Sequence, residues 1–208
     1  MFANREEAGR ELARHLSKYM GQPNTLIVAL ARGGIITGYE VAQLLQLPLD
    51  LICPRKIGAP HNPELALGAC MHTGDSFLND DIIYELDISP VALKDAIERA
   101  KKESAARHSL YRKGRQTLTV QDKTVILVDD GLATGATMKA AIKWARAEKA
   151  GRIVVAIPVA PPSTTQEIRQ LADEVIVLLQ PSSFSAVGQF YTDFRQTEDE
   201  EVYRRLNT

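Results

Sequence analysis

Apolar positions recur along this chain with two periods, and the two alternate. Ala8, Leu12, Leu16 and Tyr19 stand at helical spacing, so residues 4–20 read as an amphipathic helix ended by Gly21 and Pro23. Leu26-Ile27-Val28-Ala29-Leu30 is a continuous apolar run, the mark of a strand covered on both faces. Arg32-Gly33-Gly34 turns the chain, residues 35–46 return to a helical pattern, and a second strand follows at about 49–53. Residues 54–68 contain Pro54, Gly58, Pro60, Pro63 and Gly68, which predicts a long irregular loop. Such loops in compact domains are usually functional or disordered. A short helix is predicted at 79–86 and a long charged one at 90–113, with Ala96, Ile97, Ala100 and Ser104 near one face. Strands at 124–128, 152–158 and 175–179 then alternate with helices at 136–150 and 164–172, and a last helix is predicted at 198–206.

Buried strands alternating with helices specify an α/β fold built on a mainly parallel, doubly wound sheet. Ligands of such sheets bind beyond the carboxyl ends of the strands. The turns after the first three predicted core strands are Ala31–Gly34, the segment from Arg55 to Gly68, and Asp129–Thr137. All three therefore fall on one rim.

Composition narrows the partners. The 208 residues carry a formal net charge of -1, which leaves no electrostatic footprint for nucleic acid or an anionic membrane. No apolar run approaches the roughly 20 residues of a membrane span. Arg5, Glu6, Glu7, Arg10, Glu11 and Arg14 interrupt the first 20 residues, unlike the apolar core of a signal peptide. Cys53 and Cys70 form neither a CxxC nor a metal pattern and read as small buried apolar residues. A reduced, cytoplasmic protein is expected.

The stretch Val125–Thr137 carries the most chemistry. An apolar strand ends in Asp129-Asp130, a turn follows with Gly131, Thr134, Gly135 and Thr137, and a helix begins. Glycines allow close backbone approach, and a helix N-terminus favours an anion. No Gly-Lys-Ser/Thr follows, so this is not a nucleotide-triphosphate loop. Two acids before the turn would repel a polyphosphate but suit vicinal hydroxyls, or a hydrated cation held through its waters.

This segment resembles the phosphoribosyl-pyrophosphate (PRPP) signature of type I phosphoribosyltransferases: four apolar residues, two acids, Gly, two residues, Thr-Gly-x-Thr. The resemblance extends over roughly residues 24–195. It implies a three-layer α/β/α domain spanning 1–208, with a core at about 24–180 and a small hood or lid from about 1–20, 54–80 and 181–208. It also implies that Asp129 and Asp130 are catalytic and hold the ribose 2- and 3-hydroxyls. The segment Gly131, Leu132, Ala133, Thr134, Gly135, Ala136 and Thr137 would hold the 5-phosphate. Mg2+ is the implied cofactor, held mainly by substrate oxygens and water near the two acids, with no certain protein ligand. A homodimer is expected.

Three further segments fit. Ala31-Arg32-Gly33-Gly34 misses the GxGxxG spacing of a dinucleotide site and resembles the family's pyrophosphate-binding turn, often built with a cis peptide. Arg55-Lys56 opens the Pro/Gly-rich segment as two adjacent cations, like the family's flexible loop, and both are expected to neutralise the departing pyrophosphate. His61 within it reads as a solvated loop histidine. The aromatic run Phe184–Phe194 reads first as core or interface. It loosely resembles a base-covering segment, which makes Val187, Phe190 and Asp193 the base-side candidates. The stretch Ile157–Pro161 has no lysine of the kind that reads a 6-oxopurine, so that base is not implied.

The expected activity is pentosyl transfer from PRPP to a nitrogenous base in nucleotide metabolism. A PRPP-binding regulator on the same fold is the main alternative, although no helix-turn-helix or basic patch accompanies it. An amidotransferase is disfavoured by the missing N-terminal cysteine.

Overall fold

A strand buried on both sides needs a helical layer on each, because successive residues point to opposite faces. The computed structural model describes residues 1–60 and 62–207, so His61 lies outside the described residues. Its strands are Thr25–Leu30 (β1), Leu49–Ile52 (β2), Arg55–Ala59 (β3), Asn62–Cys70 (β4), Ser76–Leu78 (β5), Thr124–Val128 (β6), Arg152–Val159 (β7) and Glu174–Leu179 (β8). Its helices are Arg5–His15 (α1), Gly33–Leu45 (α2), Asp80–Glu85 (α3), Pro90–Arg112 (α4), Ala136–Ala147 (α5), Pro162–Arg169 (α6) and Asp199–Asn207 (α7).

The main sheet is parallel throughout, in the order β2-β1-β6-β7-β8. Ile27, Ile126, Val154 and Ala156 face Leu12, Val41 and Leu45 of α1 and α2. The neighbouring positions Leu26, Val125, Leu127 and Val155 face the other way, toward α5 and Ile168 of α6. Met138, Ala141, Ile142 and Ala145 supply the α5 contact at i, i+3, i+4 and i+7 spacing. From β1 the chain winds outward to β2, whereas from β6 it winds the opposite way. The direction reverses between β1 and β6, and their register, Ala29 beside Val128, brings the two strand ends out side by side.

Two expectations are corrected. Residues 54–68 are not an irregular loop: β3 and β4 pair as an antiparallel hairpin, and β5 adds a third strand. The glycines are used inside the strands. Gly58 sits where the register shifts, as a bulge requires, and Gly68 faces Phe77 so closely that a Cβ would overlap the Phe77 carbonyl oxygen. Ile57, Leu67 and Cys70 of this small sheet pack on Ala96 and Ala100 of α4. The first helix is also shorter than its apolar spacing suggests. α1 ends at His15, a short 3-10 turn spans Ser17–Tyr19, and Leu16 and Tyr19 remain buried.

A polar joint fastens the small sheet and α4 to the core. Arg112 near the end of α4 is buried, and its Nη2 donates to Asp50 Oδ1 of β2 at 2.5 Å and to the Leu51 carbonyl at 3.1 Å. Asp50 also accepts from the backbone N–H groups of Leu51 and Leu118. Arg112 Nε donates to His108 Nε2 at 2.7 Å, and His108 stacks on His72 with ring centroids 4.0 Å apart. A nitrogen that accepts from arginine must be unprotonated. Burial, His72 and Arg112 together push His108 down to about 4, and burial first and Arg112 second lower His72 as well.

A histidine depressed in the folded state binds its proton more readily when unfolded. Its stabilising contribution is therefore complete above the unfolded value near 6.5 and lost as pH falls toward 4. After discounting for partial exposure, the loss should be on the order of 1–2 kcal/mol. Urea midpoints taken between pH 7 and pH 4.5 should fall in the wild type and fall less in His108→Gln. Equal slopes would remove the joint as the source.

Candidate active site

The β1 and β6 ends meet through glycines. A Cβ on Gly33 would overlap Asp130 Oδ2, and one on Gly34 would lie 2.9 Å from Asp129 Cα, Asp129 Oδ1 and the Val128 carbonyl oxygen. The turn Ala31–Gly34 is thus pressed against the acid pair, and its Ala31–Arg32 peptide is cis. Arg32 points toward α7, with Nη1 3.6 Å from Asp199 Oδ1.

Beyond the acids the chain folds into a nest. Gly135 has φ +72° and caps α5, and a Cβ there would meet Thr164 Cγ2 at 2.8 Å. A Cβ on Gly131 would overlap Val187. Lys56, Val187 and residues 131–135 and 137 line a cavity of about 150 Å³. The N–H groups of Ala133, Thr134, Gly135, Ala136 and Thr137 have no acceptor among the described residues. With the α5 dipole behind them, they present a cluster of donors whose polarity suits an anion. Leu132 differs from its neighbours: its N–H donates to the Val159 carbonyl at 3.0 Å and its side chain is buried. The Ala133 carbonyl accepts from Thr164 Oγ1 at 2.7 Å, which steadies the nest from α6.

The acids are not equivalent. Asp129 Oδ1 accepts from the Asp130 N–H at 2.9 Å, and burial followed by the Asp130 charge raises Asp129 well above the usual carboxylate range. Asp130 is ion-paired to Arg5, with Nε to Oδ2 at 2.6 Å. The Asp130 carbonyl accepts from the Tyr191 hydroxyl at 2.6 Å, and burial followed by the Asp130 charge raises that phenol.

Strand alternation separates the two cations of β3. Lys56 faces the nest and has no ion-pair partner among the described residues, whereas Arg55 is held by Glu103 of α4, with Nε and Nη2 at 3.0 and 2.6 Å. The base-side candidates also divide. Val187 packs on Gly131, Phe190 stacks on Phe184 at 5.3 Å, and Asp193 lies apart, lining a small polar pocket with Arg5 and Arg195. Cys53 and Cys70 are buried as expected, and burial pushes their thiols up to about 12 and about 11.

A family model described as a phosphoribosyl transferase domain matches residues 2–195. The chain belongs to that family. A Mycobacterium tuberculosis protein named provisionally as a phosphoribosyl transferase is 41% identical over all 208 residues. The chain spans about half the length of the curated relatives it matches, 46%. A solved structure from Thermus thermophilus is 38% identical, with a TM-score of 0.83 over 99% of this chain and 97% of that one. An Aquifex aeolicus structure, 12% identical with a TM-score of 0.51 over 84% and 73%, shares the fold. The domain therefore has the family's mainly parallel core, to which the chain ends add a hood.

That hood brings in residues the motifs do not contain. The Phe2 N–H donates to the Phe190 carbonyl, and the Thr192 and Asp193 N–H groups donate to the carbonyls of Phe2 and Ala3, all at 2.8 Å. Phe2, Tyr191 and Phe194 form a run of ring contacts, and the Arg5 guanidinium lies 3.8 Å from the Phe194 centroid. In sequence Arg5 is one charge among several in an amphipathic helix, and nothing in its spacing points 125 residues ahead to Asp130.

The two-glycine turn is tested by Gly34→Ala. The neighbours of the added methyl are mostly backbone atoms that cannot rotate away, so the substitution should cost about 1–3 kcal/mol in urea unfolding. An unchanged midpoint would mean the β1 and β6 ends have slack.

Proposed function

We propose that this phosphoribosyl transferase domain transfers the 5-phosphoribosyl group of PRPP to a nitrogenous base and releases pyrophosphate. The supporting observation is the meeting of three surfaces at the β1/β6 reversal: an anion nest, an acid pair and a glycine turn. In this reading the nest takes the 5-phosphate, the acids take the ribose hydroxyls, and Ala31–Gly34, pressed against those acids, takes the pyrophosphate. In the reaction the bond from that carbon to the pyrophosphate oxygen breaks and a bond to the acceptor nitrogen forms. The acceptor gives its proton to solvent or to the departing pyrophosphate. Positive charge grows on the sugar ring, and carboxylates fixed beside its hydroxyls stabilise it without reorganising. Lys56 lines the nest and would meet the 5-phosphate there, while Arg55 is paired with Glu103 and would have to leave it to reach the substrate.

Among the described residues no three His, Cys, Asp or Glu side chains converge on a metal position. Asp129 and Asp130 already hold the Asp130 N–H and Arg5, which fits Mg2+ carried by substrate oxygens and water. Bound in that way, Mg2+ would supply charge neutralisation to the leaving group. Val187 and the Phe184–Phe190 pair offer an apolar wall for a flat acceptor. A homodimer and a cytoplasmic setting complete the proposal; among the described residues no helix is long and apolar enough to cross a membrane.

Calorimetry with PRPP and Mg2+ should show binding that Asp129→Asn plus Asp130→Asn weakens roughly a hundredfold, as expected for two lost charge-assisted hydrogen bonds. Unchanged affinity would remove the ribose role. Pyrophosphate release across purine and pyrimidine bases should identify the acceptor, and Lys56→Ala should lower kcat/KM about tenfold, mainly through a higher KM. Tight PRPP binding without turnover on any base would favour a sensor over a transferase.

A further inference from the structure

Arg5 joins three parts of the site that are distant in sequence. Nε donates to Asp130 Oδ2 at 2.6 Å, Nη1 donates to the Arg195 carbonyl at 2.8 Å, and the guanidinium lies over Phe194. The two side chains of the ion pair are only 11% and 14% exposed. Arg5 Nε is also 3.0 Å from where a Cβ would stand on Gly33, so it borders the glycine turn as well. The surrounding charges largely satisfy one another: Glu6 pairs with Arg205, and Arg195 pairs with Glu201. Among the described residues, Arg5 is the cation ion-paired with the acid pair.

We propose that Arg5 is a positioning residue for the acid pair: it fixes Asp130 against the glycine turn, cancels one of two adjacent negative charges, and ties both to the terminal hood. The proposal rests on the PRPP reading above. Two largely buried carboxylates on consecutive residues repel each other, and together they repel a polyanionic substrate. One cation held in contact halves that charge while leaving Asp129 and the second oxygen of Asp130 for hydroxyls. Its presence also opposes the rise at Asp129 caused by burial and Asp130. The geometry selects arginine. A planar guanidinium can stack on Phe194 and donate in two directions, whereas a lysine ammonium supplies only the charge. Because Phe194 and the Arg195 carbonyl belong to the same segment as Tyr191, whose hydroxyl holds the Asp130 carbonyl, the hood grips Asp130 from both its side chain and its backbone.

The test is calorimetry of the full chain with PRPP and Mg2+ on wild type, Arg5→Gln, Arg5→Lys, Asp130→Asn and the double variant Arg5→Gln plus Asp130→Asn. Arg5→Gln should weaken binding roughly tenfold, the scale of one charge-assisted hydrogen bond. Arg5→Lys, which also serves if the glutamine variant does not fold, should recover part of the loss. In the Asp130→Asn background Arg5→Gln should cost less than about threefold, because its route runs through Asp130. Equal affinity in wild type and Arg5→Gln overturns the proposal while leaving PRPP binding intact. Tighter binding in Arg5→Gln overturns it too, making Arg5 a plug over Asp130. A full tenfold loss on top of Asp130→Asn overturns the route. A wild type that binds no PRPP overturns the transferase reading and this proposal together.

Discussion

The site depends on how closely the β1 and β6 ends approach, and that approach depends on missing side chains. Gly33 and Gly34 let the carboxylates of Asp130 and Asp129 rest on the first turn of α2. Two other glycines set up this contact from a distance. Gly38 brings α2 within 2.8 Å of the Ala29 side chain, measured to the Cβ it lacks, and Gly9 does the same for α1 against the Thr37 carbonyl at 2.6 Å. Close α1–α2 packing is what carries Arg5 within hydrogen-bond reach of Asp130. Glycine costs backbone entropy wherever it appears in a helix. Here that cost is offset by a sheet, two helices and an ion pair that converge within one turn of each other.

Charge is arranged under a similar constraint. The acids sit at the end of a strand lined by apolar side chains, where a second negative charge is unfavourable and Asp129 responds by holding its proton more tightly. The cations around them mostly already have acidic partners. Arg5 is bound to Asp130, Arg55 to Glu103 and Arg32 lies near Asp199, which leaves Lys56 beside the nest. A second buried pair, Arg112–Asp50, has a different role. With His108 and His72 it joins the small sheet that carries Lys56 to the main sheet that carries the acids. The position of Lys56 relative to the nest is fixed more directly by Ala69, its neighbour on β4, which packs on Ala136 and Ala140 of α5, while apolar contacts of Ile57, Leu67 and Cys70 hold the sheet onto α4.

The core and the acid-and-nest segment could be read directly because their signals are local. Four of the five core strands announce themselves by continuous apolar runs, and Val125–Thr137 combines a strand, two acids and a helix start in thirteen neighbouring residues. The β3–β4 hairpin was not legible because Gly58, Gly68 and the prolines around them read as breakers, when the glycines serve as bulge and close approach inside paired strands. Missing the strand also hid its consequence: alternation alone sends Arg55 and Lys56 to opposite faces. Leu132 illustrates a finer limit. Sequence places it inside the nest, but its N–H is taken by Val159, a residue brought near by the β6–β7 pairing.

Arg5 and Tyr191 belong to a kind of residue that local patterns cannot reveal, because their partners are set by where the chain ends meet. Phe2 pairs with Tyr191 as a short parallel bridge, and that pairing places the two chain-end segments over one aspartate. The consequence is mechanical. The same segment that supplies Val187 and Phe190 as an apolar wall beside Gly131 continues into the residues that hold Asp130. In the proposed reading, the wall that would meet the acceptor and the acids that would meet the ribose are held by one continuous element.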